Sequence, residues 1–185
     1  MKVIGICGSP RRGNTEWMLE TLMTALGEGG AETETLLLRK MDVKMCRGCL
    51  ACEKGGKMRK GNCVIKDDMA SVYPKLLAAD VIVLATPGYM GMLSGLLKNF
   101  LDRTCAVWPR LEGKRLAGLA VAEETTGQVM QNLKYYGKLL KMEWAGSVFT
   151  FAKLPGDAAK NQGLEGRIKR LAQKIIASEI PTGKR

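Results

Sequence analysis

Apolar and polar positions along this chain switch repeatedly between a strand period and a helix period. Lys2–Cys7 carries Val3, Ile4 and Ile6 in a nearly continuous apolar run, as a strand covered on both faces requires. Gly8–Gly13 reads as a turn. From Asn14 to about Leu26, Met18, Leu19, Leu22, Met23 and Leu26 fall at helical spacing, and Gly29-Gly30 ends the run. Thr35–Leu38 predicts a second strand. Residues 39–66 have no usable period and read as a long loop. A helix bearing Met69, Val72, Tyr73, Leu76 and Leu77 follows, capped by Asp67 or Asp68 and bent or delayed by Pro74.

Val81–Ala85 is the clearest strand pattern, and Thr86–Gly91 reads as the loop after it. Ser94 is placed to cap a helix with Leu97, Phe100 and Leu101 on one face. Leu116–Ala122 predicts a fourth strand, and Glu123–Gly127 a polar turn into a helix with Met130, Leu133 and Leu140. Trp144–Phe151 predicts a fifth strand, and a last helix carries Leu164, Ile168, Leu171 and Ile175. Strands joined by helical crossovers imply an α/β fold: a doubly wound, five-stranded parallel sheet with helices on both faces. One domain over residues 1–185 is the expectation at this length. Ligands of such sheets sit at the carboxyl ends of the strands, near the switch in strand order.

Composition narrows the chemistry. The chain has no histidine, which excludes Ser-His-Asp and Cys-His catalysis and every His-ligated metal site. Apolar residues make up 46% and charged residues 25%, ordinary for a globular protein. No apolar run approaches the ~20 residues of a membrane span, and the short N-terminal apolar stretch does not suit a signal peptide. The expectation is a cytoplasmic protein without membrane contact. The net charge of +11 favours anionic partners without naming them. A nucleic-acid binder is not expected, because charge alone supports it and no recognised module is present.

Gly8-Ser9-Pro10-Arg11-Arg12-Gly13-Asn14-Thr15 joins the first strand to the first helix. Its glycine spacing is that of a nucleoside-triphosphate loop, but Asn14 stands where such a loop needs lysine. The dinucleotide Gly-x-Gly-x-x-Gly fingerprint is also absent. What remains is a donor-rich loop at a helix N-terminus: Ser9, Asn14, Thr15 and backbone N–H groups, with Arg11 or Arg12 supplying charge. That set suits one terminal phosphate dianion. A plain turn, with Asn14 or Thr15 as helix cap, is the competing reading.

The same loop resembles the FMN phosphate loop of the NADPH-dependent FMN reductase and iron–sulfur flavoprotein group, which are flavodoxin-like. The resemblance runs on through Cys46-x-Gly48-Cys49-x-x-Cys52, Gly61-x-Cys63 and Asp67-Asp68-Met69. It continues in Ala79-Asp80, Thr86-Pro87-x-Tyr89 and Leu97-Lys98-x-Phe100-x-Asp102-Arg103, covering about residues 1–105. It implies FMN as cofactor, its phosphate held by Ser9, Arg11, Gly13, Asn14 and Thr15. The flavin ring would lie against Thr86, Pro87, Gly88, Tyr89, Met90 and Gly91, with Glu124 and Thr125 of the next loop as further contacts. The adjacent carboxylates Glu123 and Glu124 suggest either acid–base work or favourable charge beside a helix N-terminus.

Cys46, Cys49 and Cys52 put three thiols within seven residues. This spacing fits a structural zinc site poorly and suits a [4Fe–4S] cluster with Cys63 as fourth ligand. Ten residues separate Cys52 from Cys63, more than in the family, although loop length adds little closure cost. Unligated thiols or a redox disulfide are the alternatives. Cys7 and Cys105 read as core residues. Residues 39–66 hold nine basic and two acidic residues, charge that would offset a cluster or attract the phosphates of NADPH.

The function implied is an FMN-dependent oxidoreductase taking electrons from NAD(P)H or a reduced carrier protein and passing them to a small-molecule acceptor. A non-enzymatic, flavodoxin-like electron carrier is the alternative, weakened by the basic charge. A homodimer or a tetramer of dimers is expected.

Overall fold

The computed structural model describes residues 1–53 and 63–178. Five strands run parallel: β1 (Lys2–Cys7), β2 (Glu32–Leu37), β3 (Val81–Tyr89), β5 (Arg115–Ala122) and β6 (Glu143–Phe151), in the order β2-β1-β3-β5-β6. Counting parallel strands alone this is the 2-1-3-4-5 order of the flavodoxin-like fold, so the fold class expected from the sequence holds. A short strand β4 (Met92–Leu93) pairs antiparallel with the end of β3.

Alternate side chains of each central strand enter opposite cores. Ile4, Ile6, Ile82, Leu84, Leu116 and Ala120 pack with α2 (Met69–Ala78), α3 (Gly95–Arg103) and α4 (Gly127–Leu139). Val3, Val81, Val83, Ala117 and Leu119 pack on the other face with α1 (Asn14–Glu28) and α6 (Leu164–Ala177). Burial on both faces explains why these strands read as apolar runs rather than alternating ones.

Several expected boundaries move. The second strand starts earlier, at Glu32, and its polar outer residues hid it. β3 continues through Thr86–Tyr89, which the sequence had as loop, because Thr86 and Pro87 still face β5. Pro74 lies inside α2, which runs on past it to Ala78. The C-terminal helical region is two helices, α5 (Asp157–Lys160) and α6. Short 3₁₀ turns at Leu38–Lys40, Thr104–Ala106 and Trp108–Leu111 complete the described elements. Ser94 caps α3 as expected, its Oγ accepting the Leu97 N–H at 3.1 Å and donating to the Gly8 carbonyl at 2.6 Å. That bond ties the first strand's end to α3. Gly8 is needed there, since a Cβ would lie 2.6 Å from the Leu97 Cβ.

Candidate cofactor cleft and the cysteine region

The β1–α1 loop leaves backbone donors open at a helix N-terminus. The N-cap of α1 is Gly13, and no side chain caps the helix. The N–H groups of the first helical turn therefore have no intrahelical partner, and the helix dipole adds partial positive charge at that end. Ser9 shapes the loop: its hydroxyl donates to the Arg11 carbonyl at 2.7 Å and receives the Arg11 N–H at 3.4 Å. Asn14 does not cap the helix. Its amide donates to the Leu154 carbonyl at 2.9 Å, and its oxygen accepts from Gly156 at 2.9 Å and Ala158 at 3.2 Å. Its side chain thus joins the loop after β6 to the loop after β1.

A cleft of about 140 Å³ opens beside this loop at the carboxyl edge of the sheet. Ser9, Arg11, Gly13, Asn14 and Thr15 line one side, and Pro87, Gly88 and Tyr89 another. Of the residues singled out from the sequence, these eight come together. Thr86 does not reach the cleft. It is fully buried, donating to the Pro87 carbonyl at 2.9 Å and accepting the Ser94 N–H at 3.1 Å. Met90 and Gly91 form the tip of a β3–β4 hairpin, with φ of 50° and 73°. Two consecutive positive φ values are the signature of a type I′ turn, and Met90 points fully into solvent.

Glu124 and Thr125 are not among the lining residues; Glu123 is, together with Val121, Ala122, Ala152, Lys153 and Pro155. Glu123 is ion-paired with Lys153, whose pKa it raises, first through a hydrogen bond. Glu123 thus stands at the cleft wall with Lys153 as its ion-pair partner. Sequence reading missed the contribution of the β6 end because 152–155 carries no motif. Its signal is positional, since every parallel strand's carboxyl end borders the same edge.

The cysteine region is anchored at both ends by one buried ion pair. Arg103 and Asp67 pair through two bonds, with Nη2 to Oδ1 at 3.0 Å and Nη1 on Oδ2, and their side chains are 1% and 0% exposed. Arg103 Nη1 also donates to the Lys44 carbonyl at 2.6 Å, while Asp67 Oδ2 accepts the Lys44 N–H at 2.9 Å. Burial drives the Asp67 pKa up; the Arg103 guanidinium and the N–H groups of Lys44 and Met69 outweigh it and hold the carboxyl below its ordinary value. Asn99 adds a bond to the Val43 carbonyl at 2.6 Å.

Cys46 and Cys49 are exposed, and Cys63 is half-buried beside Tyr73. Much of the connection between Cys52 and Cys63 lies outside the described residues. Among the described residues, the one group of three or more sulfur or carboxylate ligand atoms within 4.8 Å of one another is Cys52, Glu53 and Cys105. That spacing is the scale of a single ion and does not bear on Cys46, Cys49, Cys52 and Cys63, whose sulfurs would stand farther apart on a four-iron cluster. Cys105 is not the core residue expected from the sequence: it is half-buried, 3.9 Å from Cys52. Burial, then the neighbouring Cys52, pushes its thiol up to about 12. Cys7 is buried in β1, as expected.

Comparison with known proteins agrees with this construction. The family model for NADPH-dependent FMN reductase matches residues 1–153. An iron–sulfur flavoprotein of Archaeoglobus fulgidus is 39% identical over 104 residues, covering 56% of this chain and 49% of that protein. An iron–sulfur flavoprotein of Methanocaldococcus jannaschii is 37% identical over 141 residues, 71% of this chain and 70% of that one. The matched stretch thus spans only about half of the first relative's length. The solution structure of two-electron reduced Megasphaera elsdenii flavodoxin superposes with a TM-score of 0.62 at 17% identity, covering 95% of this chain and 99% of that one, a likeness of fold. The chain belongs to the NADPH-dependent FMN reductase family and stands with its iron–sulfur flavoproteins.

Proposed function

We propose that this chain is an FMN-dependent oxidoreductase that takes electrons from NAD(P)H or a reduced carrier protein and passes them to a small-molecule acceptor. The observation that carries the reading is the convergence of an uncapped helix N-terminus and the Pro87–Tyr89 segment on one cleft, at the switch in strand order between β1 and β3. The N–H groups of the first turn of α1 and the Arg11 guanidinium would hold the phosphate. Pro87, Gly88 and Tyr89 would border the ring, and Lys153 would add charge at the wall that Glu123 partly offsets. When bound, a flavin supplies hydride acceptance and one- or two-electron release.

Nothing in this scheme needs a histidine base, in keeping with the composition. Cys46, Cys49, Cys52 and Cys63 would be the thiolates of a [4Fe–4S] cluster, which would supply one-electron transfer beside the flavin. Self-association as a dimer, or a tetramer of dimers, belongs to the same reading. Tyr89, Met90 and Met92 expose apolar surface along the hairpin beside the cleft, at 42%, 99% and 51% exposure.

The test is stopped-flow reduction of the FMN-loaded protein by NADPH and by NADH, followed by reoxidation with a quinone. Flavin bleaching by either nucleotide, with turnover in the presence of acceptor, supports an enzyme. Flavin that neither nucleotide reduces, but a reduced carrier does, makes the chain an electron carrier instead.

A further inference from the structure

We propose that Arg39 is a positioning residue for the phosphate end of the cleft: by pairing with Glu16 it frees the N-terminus of α1 to hold an outside anion, an assignment that rests on the flavin reading. Glu16 stands in the first turn of α1, directly after the cleft-lining Thr15. An acidic side chain there is drawn to the same unpaired N–H groups and helix dipole that an incoming phosphate would use. Glu16 is also buried, at 4% exposure. A buried carboxylate within a turn of a dianion repels it in surroundings that screen charge poorly. An anion site built over Glu16 therefore needs a dedicated counter-charge, and the fold supplies one.

Arg39 comes from the 3₁₀ turn after β2, 23 residues along the chain. Its Nη2 donates to Glu16 Oε1 at 3.0 Å, and its Nη1 lies 2.8 Å from Oε2, so the guanidinium faces both carboxylate oxygens. The two side chains are 17% and 5% exposed. Neither residue lines the cleft, which puts the pair behind the β1–α1 loop. Cys7, the last residue of β1, shows how close behind. Burial pushes its thiol up and the Ser9 backbone lowers it; Glu16 then raises it and Arg39 lowers it. Both charges are thus felt at the residue that leads into Gly8 and Ser9. Glu20 also raises the Cys7 thiol, but its own side chain is exposed and open to solvent screening. Arg11 lines the cleft and would meet the phosphate itself. Arg39 differs in kind: it acts through Glu16, by cancelling a charge the ligand would otherwise oppose.

The test titrates flavin-free protein with FMN and with riboflavin, which lacks the phosphate. Arg39→Met keeps the side chain's length and removes its charge. It should raise the dissociation constant for FMN at least about tenfold and leave riboflavin binding unchanged. The double variant Glu16→Gln/Arg39→Met removes both charges and should regain most of the FMN affinity. Arg39→Lys keeps the charge without the planar fork and should regain part of it. Glu16→Gln alone should bind FMN at least as tightly as the parent. A purely structural tie predicts the opposite pattern: the double variant binds no better than Arg39→Met, and riboflavin weakens alongside FMN. Either result overturns the assignment, as does an Arg39→Met protein that binds FMN like the parent. Where the buried carboxylate keeps Arg39→Met from folding, Glu16→Gln and the double variant decide, and FMN weakened in both overturns it. A parent that does not bind FMN removes the flavin reading and this assignment together; a parent that binds FMN, with variants that do not respond, removes this assignment alone.

Discussion

The Arg103 guanidinium closes on the Asp67 carboxylate from α3, and the pair sits almost wholly out of water. Two long-range consequences follow. Lys44, at the start of the cysteine region, is bonded through both its N–H and its carbonyl to this pair, and Asp67 itself lies at the region's end. The region is therefore a loop gathered at its neck by one ion pair, whatever its interior does.

Removing one partner of a buried pair strands the other charge, a loss of about 3–5 kcal/mol. Asp67→Asn should lower unfolding free energy by about that amount in urea, with little change in m. A loss under about 1 kcal/mol would mean that water reaches Arg103 and that the neck is open.

The same pair gives acid sensitivity a sign. The Asp67 pKa in the folded chain is below its ordinary value of 3.8. Its stabilisation is therefore complete above that value and is lost as pH falls through the depressed folded pKa. Below about pH 4, stability of the parent should fall more steeply with acid than that of Asp67→Asn. Parallel pH curves for the two proteins would remove Asp67 from the account.

Ser9 organises the loop after β1 through Arg11, and Thr15 lines the cleft within the first turn of α1. Ser9→Ala and Thr15→Ala should each raise the dissociation constant for FMN about tenfold, the size of a lost hydrogen bond in a charged site. Riboflavin, which lacks the phosphate, should bind both variants and the parent alike. An equal loss for both ligands would place these residues at the ring.

Met90 holds a φ of 50° at the hairpin tip with its side chain fully exposed. Asn tolerates that conformation better, and Asn-Gly is the favoured type I′ pair. Met90→Asn should therefore stabilise the chain by about 0.5–1 kcal/mol in thermal unfolding. A destabilised variant would show that Met90 is packed, for instance against a second copy.

Much of this was legible in the residues. The apolar runs at Val3–Ile6, Val81–Ala85 and Leu116–Ala122 announced a sheet buried on both faces. The cleft-lining residues of the β1–α1 loop were legible because they are contiguous and lie at a strand-to-helix turn. The hairpin at Met90-Gly91 escaped because methionine gives no turn signal. The pairing of Lys153 with Glu123 escaped because they meet across two strand ends, and the amide of Asn14 looked like a cap while it serves as a brace. Cys105 escaped for the same physical reason: its partner Cys52 is distant in sequence, and spacing arguments see only neighbours.

The central claim is that the cleft between the β1–α1 loop and the end of β3 holds FMN. Its most direct test is titration of flavin-free protein with FMN, followed by flavin fluorescence and by sedimentation of the complex. The account predicts saturable binding of one FMN per chain with Kd about 1 μM or tighter, close to −8 kcal/mol, weakened by Arg11→Ala. No saturation up to about 100 μM, or binding unaffected by Arg11→Ala and Ser9→Ala together, would contradict it.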